Sequence, residues 1–589
     1  MSQRLMLLLI AVLVMTPAIT GVAQPVPGPD DETAEPTTLR VAFQDGLRPT
    51  LDPHACRDPL SFRLVSLGYE TLYMWVPGDH PRVVPCLAKS FPVVSEDGLT
   101  VTIKLDTTAK FHNSHCFGEA RTRTLKASDV IHSLKRASVF SDDGMYWMCA
   151  GLIDGLDKYG EQARYDMSYE TTDTKVAGLS APDDETVVIK LTRPCAPLIT
   201  MLAHPGFSIV PREAIDQFSG QLRTRVVGTG PFRLNAVASE SLYVFKRWDE
   251  YRGDKPGFER VTFTARSYWT EFVQGLNTGT FHEMPLWENY YDRVVQDGRL
   301  VGELKSAEAE LVKEDEHGYY YLAFNMEDPV WGALDADGRA LRRAVSLAYD
   351  RAAMLTDAGR AGEWNAPQEN MFPAGMEFED TGAGLEYSKT DLAAAKKLLG
   401  GSKYKGGIDP STGTPLRLTY LAIDTNDLRT DFQRLYEQFS RALRAALKEL
   451  GMVLEVRYAG AGAYRDEIVD SEYQMFQAGW FLDYPGPMNF LQLFWGGNAG
   501  VHAEYNNTAR YNSPDFNKMY EQLLTTPPTD ENREKRKELV RALAVEIAKD
   551  QVTIPLFHER NARLRRTDVV WPAMPRQTFN DLRFAGTPE

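Results

Sequence analysis

The sequence predicts an α/β fold built in several lobes, and three observations carry that expectation. Segments of alternating β-branched or aromatic residues recur between segments of helical period along most of the chain. The composition, 43% hydrophobic, 25% charged and 11% aromatic, is that of an ordinary globular protein. The 589 residues, at about 150 per domain, make roughly four domain equivalents, enough core to hold without staples.

The elements follow in order. Arg4 and the apolar stretch Leu5 to Met15 read as an export signal, with Thr16, Pro17 and Thr20 breaking the run before it spans about 30 Å of hydrocarbon. Gly21-Val22-Ala23 places cleavage after Ala23, so residues 1–23 are expected to be a signal peptide, and no cysteine stands there for acylation. Residues 24–38, rich in Pro and acids, read as a flexible linker. Strands are expected at Leu39–Phe43, Thr100–Leu105, Glu185–Leu191, Leu242–Trp248 and Val261–Ala265, bounded by turns such as Asp97-Gly98 and Asp183-Asp184. Ser128 is the expected N-cap of a helix over Asp129–Arg136, and Asp337 of one over Ala340–Leu355. The clearest helix opens at Thr430 or Asp431: Phe432, Leu435, Tyr436, Phe439, Leu443, Ala446, Leu447 and Leu450 keep its period. Gly451 ends it, and Met452–Tyr458 resumes as a strand. Pro514 behind Ser513 starts another helix, and a last one, Glu531–Lys549, leads into the apolar strand Val552–Phe557.

Charge and cysteines narrow the class. With 65 Lys and Arg against 81 Asp and Glu the net charge is −16, which excludes a sequence-independent nucleic-acid binder relying on a basic surface. Cys56, Cys86, Cys116, Cys149 and Cys195 all lie in the first third of the mature chain. For an exported protein one or two disulfides are expected, with at least one thiol left over; spacing does not say which cysteines pair.

Enzyme signatures are missing: there is no G-x-S-x-G, H-E-x-x-H, G-x-x-x-x-G-K-[ST] or G-x-G-x-x-G. Gly228-Thr229-Gly230-Pro231 is a turn rather than a phosphate loop, because Pro231 removes a backbone donor and no lysine follows. His112-x-x-His115-Cys116 could offer ligands to zinc or copper, but no second cluster completes a set, so neither metal nor cofactor is assigned. One segment is chemically different. In Ala478-Gly479-Trp480-Phe481-Leu482-Asp483-Tyr484-Pro485-Gly486-Pro487-Met488-Asn489-Phe490-Leu491 a single carboxylate stands among aromatic rings in a loop stiffened by prolines. Such an acid needs a cation or several hydrogen bonds to stay ionised. Local chemistry alone leaves two readings: a receptor for a ligand ammonium, or a turn salt-bridged internally.

Several stretches resemble, in order, the extracytoplasmic solute-binding proteins of peptide ABC importers, the dipeptide- and oligopeptide-binding type. They are Leu51-Asp52-Pro53-His54 with Tyr69-Glu70-Thr71-Leu72; Leu87-Ala88-Lys89-Ser90 through Asp97-Gly98-Leu99-Thr100 to Lys110-Phe111-His112; Ala127-Ser128-Asp129-Val130; Gly228-Thr229-Gly230-Pro231-Phe232; and Leu341-Arg342-Arg343-Ala344-Val345 through Tyr349-Asp350-Arg351. The resemblance runs from about residue 39 to 585. It implies a two-lobed periplasmic-binding-protein-like α/β fold of the large peptide-binding type (class II), with a hinge and an interlobe cleft. Lobe I would comprise residues 39–266 and 481–589, and lobe II residues 267–480. It further implies a monomeric, non-enzymatic receptor outside the cytoplasmic membrane that hands a short peptide to a membrane permease. By the family's pattern Asp483 would hold the ligand's α-ammonium, Trp480 and Tyr484 would line the same pocket, and Arg429 is the candidate counter-charge for the ligand carboxylate. The chain departs from the pattern at His112–Thr124, Trp331–Arg339 and Gly362–Asp380, and in the Pro-Gly-Pro-Met that follows Tyr484, where many members carry another acid. The alternatives are a receptor of the same fold for a nickel chelate, opine or sugar, and an exported hydrolase of similar shape.

Overall fold

The computed structural model describes residues 37–587 except 78–81, 141–143, 166–173, 238–240, 316–317, 359–364, 368–370, 373–388, 425, 427–429, 461–462, 471–472, 500–506, 528–529 and 574–578. The expected signal peptide, most of the expected linker and the departure at Gly362–Asp380 (Asn365–Pro367 and Met371-Phe372 apart) therefore lie outside the described residues. Its principal strands are β1 (Thr38–Gln44), β2 (Thr100–Lys104), β3 (Thr186–Lys190), β4 (Phe232–Val237), β5 (Leu242–Arg247), β6 (Arg260–Arg266), β7 (Glu283–Leu286), β8 (Ala309–Asp315), β9 (Gly318–Phe324), β10 (Arg417–Ile423), β11 (Val453–Ala459), β12 (Met475–Phe481) and β13 (Thr553–Arg566). The helices used below are α1 (Pro59–Gly68), α2 (Ala127–Val139), α3 (Ala336–Ala348), α4 (Arg351–Ala358), α5 (Thr430–Glu449), α6 (Pro514–Thr525) and α7 (Arg533–Asp550).

The main sheet runs β11-β10-β12-β9-β13-β7-β1-β6-β5-β4, with β8 also on β13, and β2 and β3 belong to a separate small sheet. β13 is common to both halves: Thr553–Phe557 pairs with β9, while Arg560–Arg566 pairs with β8 and Ala562–Arg565 with β7. The cores divide close to the same place, except that Tyr484 joins the core of the small sheet. Residues of β1, β4 to β8, α1, the small sheet and the C-terminal tail pack together. β9 to β12, α3 to α7 and the first half of β13 pack together. This grouping differs from the expected bounds at 267 and 480. β7 and β8 go with β1 because they pair with the second half of β13, and α6 and α7 go with β9 and β12 because Phe516, Tyr520, Leu543 and Ile547 share one core with Tyr319 and Phe476.

β13 is longer than the apolar run Val552–Phe557 suggests, and buried charge explains it. Leu564 and Ala562 face an apolar core, while Arg563 and Arg565 face Glu283 and Asp581. Arg63 joins them, donating to Glu283 at 2.7 Å and to Asp581 at 3.0 Å, and Arg565 donates to the same pair at 2.8 and 3.2 Å. These carboxyls are held below their ordinary values by the surrounding guanidiniums, although burial alone would raise them.

Other elements follow the sequence with local corrections. α5 ends with Gly451 at φ 78°, the left-handed position a glycine suits. Ser513 caps α6 ahead of Pro514. The second helix begins one residue before Ser128, because Asp129 at its third position accepts from the Lys126 N–H at 2.9 Å and pairs with both Nη groups of Arg123. The single helix expected over Ala340–Leu355 is two: Asp335, not Asp337, caps α3, and Asp350 accepts from the Ala353 N–H to start α4. The break lets the buried Arg351 guanidinium reach the carbonyls of Pro555 and Ser346. Thr37 of the expected linker already accepts from the Glu259 and Arg260 amides. In this structure all five cysteines stand as thiols, so the expected disulfides are absent from it.

Candidate functional site

The chemically distinct segment becomes the end of β12 and the turn that follows. β12 runs antiparallel to β9, with Trp480 opposite Tyr319 and Phe481 opposite Gly318. The chain then bends through Leu482–Pro487, Gly486 adopting φ 127°, and Pro487 caps a helical turn at Met488–Leu491. That turn returns Asn489 to the end of the strand, where its Oδ1 accepts from Trp480 Nε1 at 2.8 Å. The bond fixes the indole. It also commits the amide oxygen, so the NH2 of Asn489 is the end left to act on Asp483.

Asp483 retains partial solvent access yet is surrounded by protein. Burial pushes its carboxyl from 3.8 up to about 7, offset in part by Asn489. Among the described residues it forms no ion pair, and the buried Nδ2 of Asn489 closes no hydrogen bond of ordinary geometry. A carboxylate and an amide donor thus stand side by side without full satisfaction, beside an immobilised indole. Such a group accepts a cation's N–H donors at little reorganisation cost, because the partner supplies the charge the protein withholds.

A second aromatic ring reaches this turn from a distant part of the chain. Trp147, on the 3₁₀ helix Tyr146–Cys149, meets Trp480 edge to face with ring centroids 5.1 Å apart. Nearby, the Ala196 N–H donates to the Leu524 carbonyl at 3.0 Å and Arg193 lies over the Trp495 ring at 4.9 Å.

The sequence-derived residues fare differently. Asp483 and Trp480 are brought together. Tyr484 is 3% exposed and packs into the core that contains Val65, Leu134 and Leu202, against which Trp147 also lies. Arg429 lies outside the described residues. Asn489 was in view in the sequence but had no signal beyond its closeness to Asp483, and Trp147 had none, since only folding brings it to Trp480. His112 is buried, with Nε2 on the Gly230 carbonyl at 2.8 Å and its ring edge-on to Trp248. Gly228 and Gly230 sit so close to Gly68 that a Cβ on either would strike its backbone, which makes the G-T-G-P turn a packing device. Among the described residues no cluster of His, Cys, Asp and Glu could hold a metal ion, and no helix is long and apolar enough to cross a membrane.

With this geometry in hand, comparisons with known proteins point one way. The family model described as bacterial extracellular solute-binding proteins, family 5 middle, matches residues 82–501. The chain is similar to the oligopeptide-binding protein OppA of Bacillus subtilis, 23% identical over 72% of this chain and 74% of that protein. It is also similar to heme-binding protein A of Haemophilus influenzae, 24% identical over 81% of this chain and 79% of that one. Among solved structures, the periplasmic binding protein DppA of Helicobacter pylori in complex with the peptide STSA has a TM-score of 0.64. It is 18% identical and is matched over 94% of this chain and 99% of its own.

Proposed function

The chain belongs to the bacterial extracellular solute-binding proteins of family 5, and from that premise we propose that it is the receptor of an ABC importer that captures a short peptide by its free ammonium. It is a two-lobed, extracytoplasmic binding protein rather than an enzyme: it holds its ligand between the lobes and delivers it unchanged to a membrane permease. It works as a monomer, after cleavage of the leader behind Ala23.

The observation that carries the reading is Asp483, a buried carboxyl that forms no ion pair among the described residues. The ligand's ammonium pairs with it, Asn489 Nδ2 adds a donor for a neighbouring carbonyl, and Trp480 and Trp147 flank the first residue. We place the first lobe at about residues 37–315 with the last part of β13 and the tail, and the second at about 318–557. This division is supported by the packing of the cores, with closure turning on the middle of β13. A solute other than a peptide is the second reading, favoured by the heme-binding relative.

Native mass spectrometry of residues 24–589, purified without denaturation, tests the assignment. A co-purified ladder of short-peptide masses, lost from Asp483→Ala protein, is the expected result. A single non-peptide adduct that survives Asp483→Ala overturns the peptide reading.

A further inference from the structure

Two cysteines, Cys149 and Cys195, share the core that also takes Tyr484. Ile153 bridges Leu191 in antiparallel sense. Thr192 donates its N–H to the Leu152 carbonyl at 2.9 Å, and Thr192 Oγ1 and Arg193 Nη1 donate to the Gly151 carbonyl at 2.6 and 3.2 Å. Beyond this bridge the first segment turns, Gly151 at φ 67° and the Leu152 N–H on the Cys149 carbonyl, so that Cys149 closes its 3₁₀ helix two residues before Gly151 while Cys195 follows Arg193 by two. The two thiols lie within electrostatic reach of each other, and both within reach of the Tyr484 hydroxyl. Cys149 is wholly buried and Cys195 packs against the same core. The other three are placed elsewhere: Cys56 Sγ donates to the Pro53 carbonyl at 3.0 Å, Cys86 Sγ to Glu70 at 3.3 Å, and Cys116 lies on the 3₁₀ helix His115–Ala120.

From this juxtaposition we propose that the exported protein carries a disulfide between Cys149 and Cys195, with Cys56, Cys86 and Cys116 left as thiols. The structure is then the dithiol form. On bridging, each thiol loses its proton and the pair gives up two electrons as the S–S bond forms. A thiol–disulfide oxidoreductase of the extracytoplasmic compartment accepts both electrons and both protons, its own disulfide becoming a dithiol. Burial pushes both thiols up, Cys195 to about 12, so little thiolate exists once the core has closed. The bridge joins the segment that carries Trp147 to the segment that carries Arg193 and Ala196. The whole wall that meets Trp480, Trp495 and Leu524 is then one covalent unit.

The inference rests on the extracytoplasmic location and not on the identity of the ligand. Wild-type protein recovered from an oxidising compartment is denatured and alkylated without reductant, digested with trypsin and mapped by mass spectrometry. The expected map has the peptide of residues 137–158, with Cys149, joined to that of residues 191–212, with Cys195. The linked mass rises by about 2 Da on reduction, and the other three cysteines carry the alkyl group. Alkylation of all five, or a link through Cys56, Cys86 or Cys116, overturns the assignment. A failure to capture peptide in the ligand test leaves this map unchanged, so the two readings fail separately.

Discussion

Asp483→Asn should make the ligand-free protein more stable at pH 8 and leave it nearly unchanged at pH 4. The folded carboxyl sits at about 7 against an ordinary 3.8, because burial disfavours its charged form. The folded state therefore binds the proton more tightly than the unfolded chain does. Stability from this group is fully present below about pH 4 and is lost as pH rises towards 7. A displacement of about three pH units corresponds to roughly 4 kcal/mol. Partial solvent access screens the charge, which brings the working figure to about 2 kcal/mol. Asparagine keeps the shape and cannot ionise, so it removes this slope. The assay is urea unfolding of ligand-free wild type and variant between pH 4 and 8. All other titrations are common to both proteins and cancel in the difference, which should grow by about 2 kcal/mol from pH 4 to 8. Curves that stay parallel across that range would refute the account of Asp483 as a carboxylate awaiting its cation.

Two further outcomes follow from the same chemistry. Calorimetric affinity for a peptide with a free N-terminus should fall on acidification below about pH 7, approaching a hundredfold loss by pH 5 as protons compete for Asp483; affinity that is flat from pH 5 to 7 would assign the ammonium elsewhere. In the ion cluster, Glu283→Gln leaves Arg63, Arg563 and Arg565 facing Asp581 alone and should cost about 3–5 kcal/mol in denaturant unfolding. Arg63→Met leaves two arginines on two carboxylates and should cost only roughly 1–2 kcal/mol. Equal losses for the two variants would contradict the charge count.

Much of the fold was legible because its signals are local. The apolar period of α5 and the glycine at 451 act within a few residues, and so do Ser513 and Pro514 at the start of α6. The singular chemistry of Asp483 was visible for the same reason: its aromatic neighbours and prolines are adjacent in the chain. Other features depended on partners far away. The second half of β13, His558 to Arg566, reads as a charged surface stretch until Glu283 and Asp581 are placed opposite its arginines. The break between α3 and α4 is invisible until the carbonyl of Pro555 supplies an acceptor for Arg351.

The sequence by itself determined the α/β class, the principal helices and strands, the family resemblance and the carboxylate at the candidate site. Only the tertiary structure decided that Tyr484 packs into a core of distant residues, that Asn489 is held by Trp480 and that Trp147 meets Trp480 edge to face. The physical reason is range. Turn chemistry and hydrophobic period are written in neighbouring residues, whereas burial, charge pairing and thiol proximity are properties of the folded volume and depend on which distant segments share it.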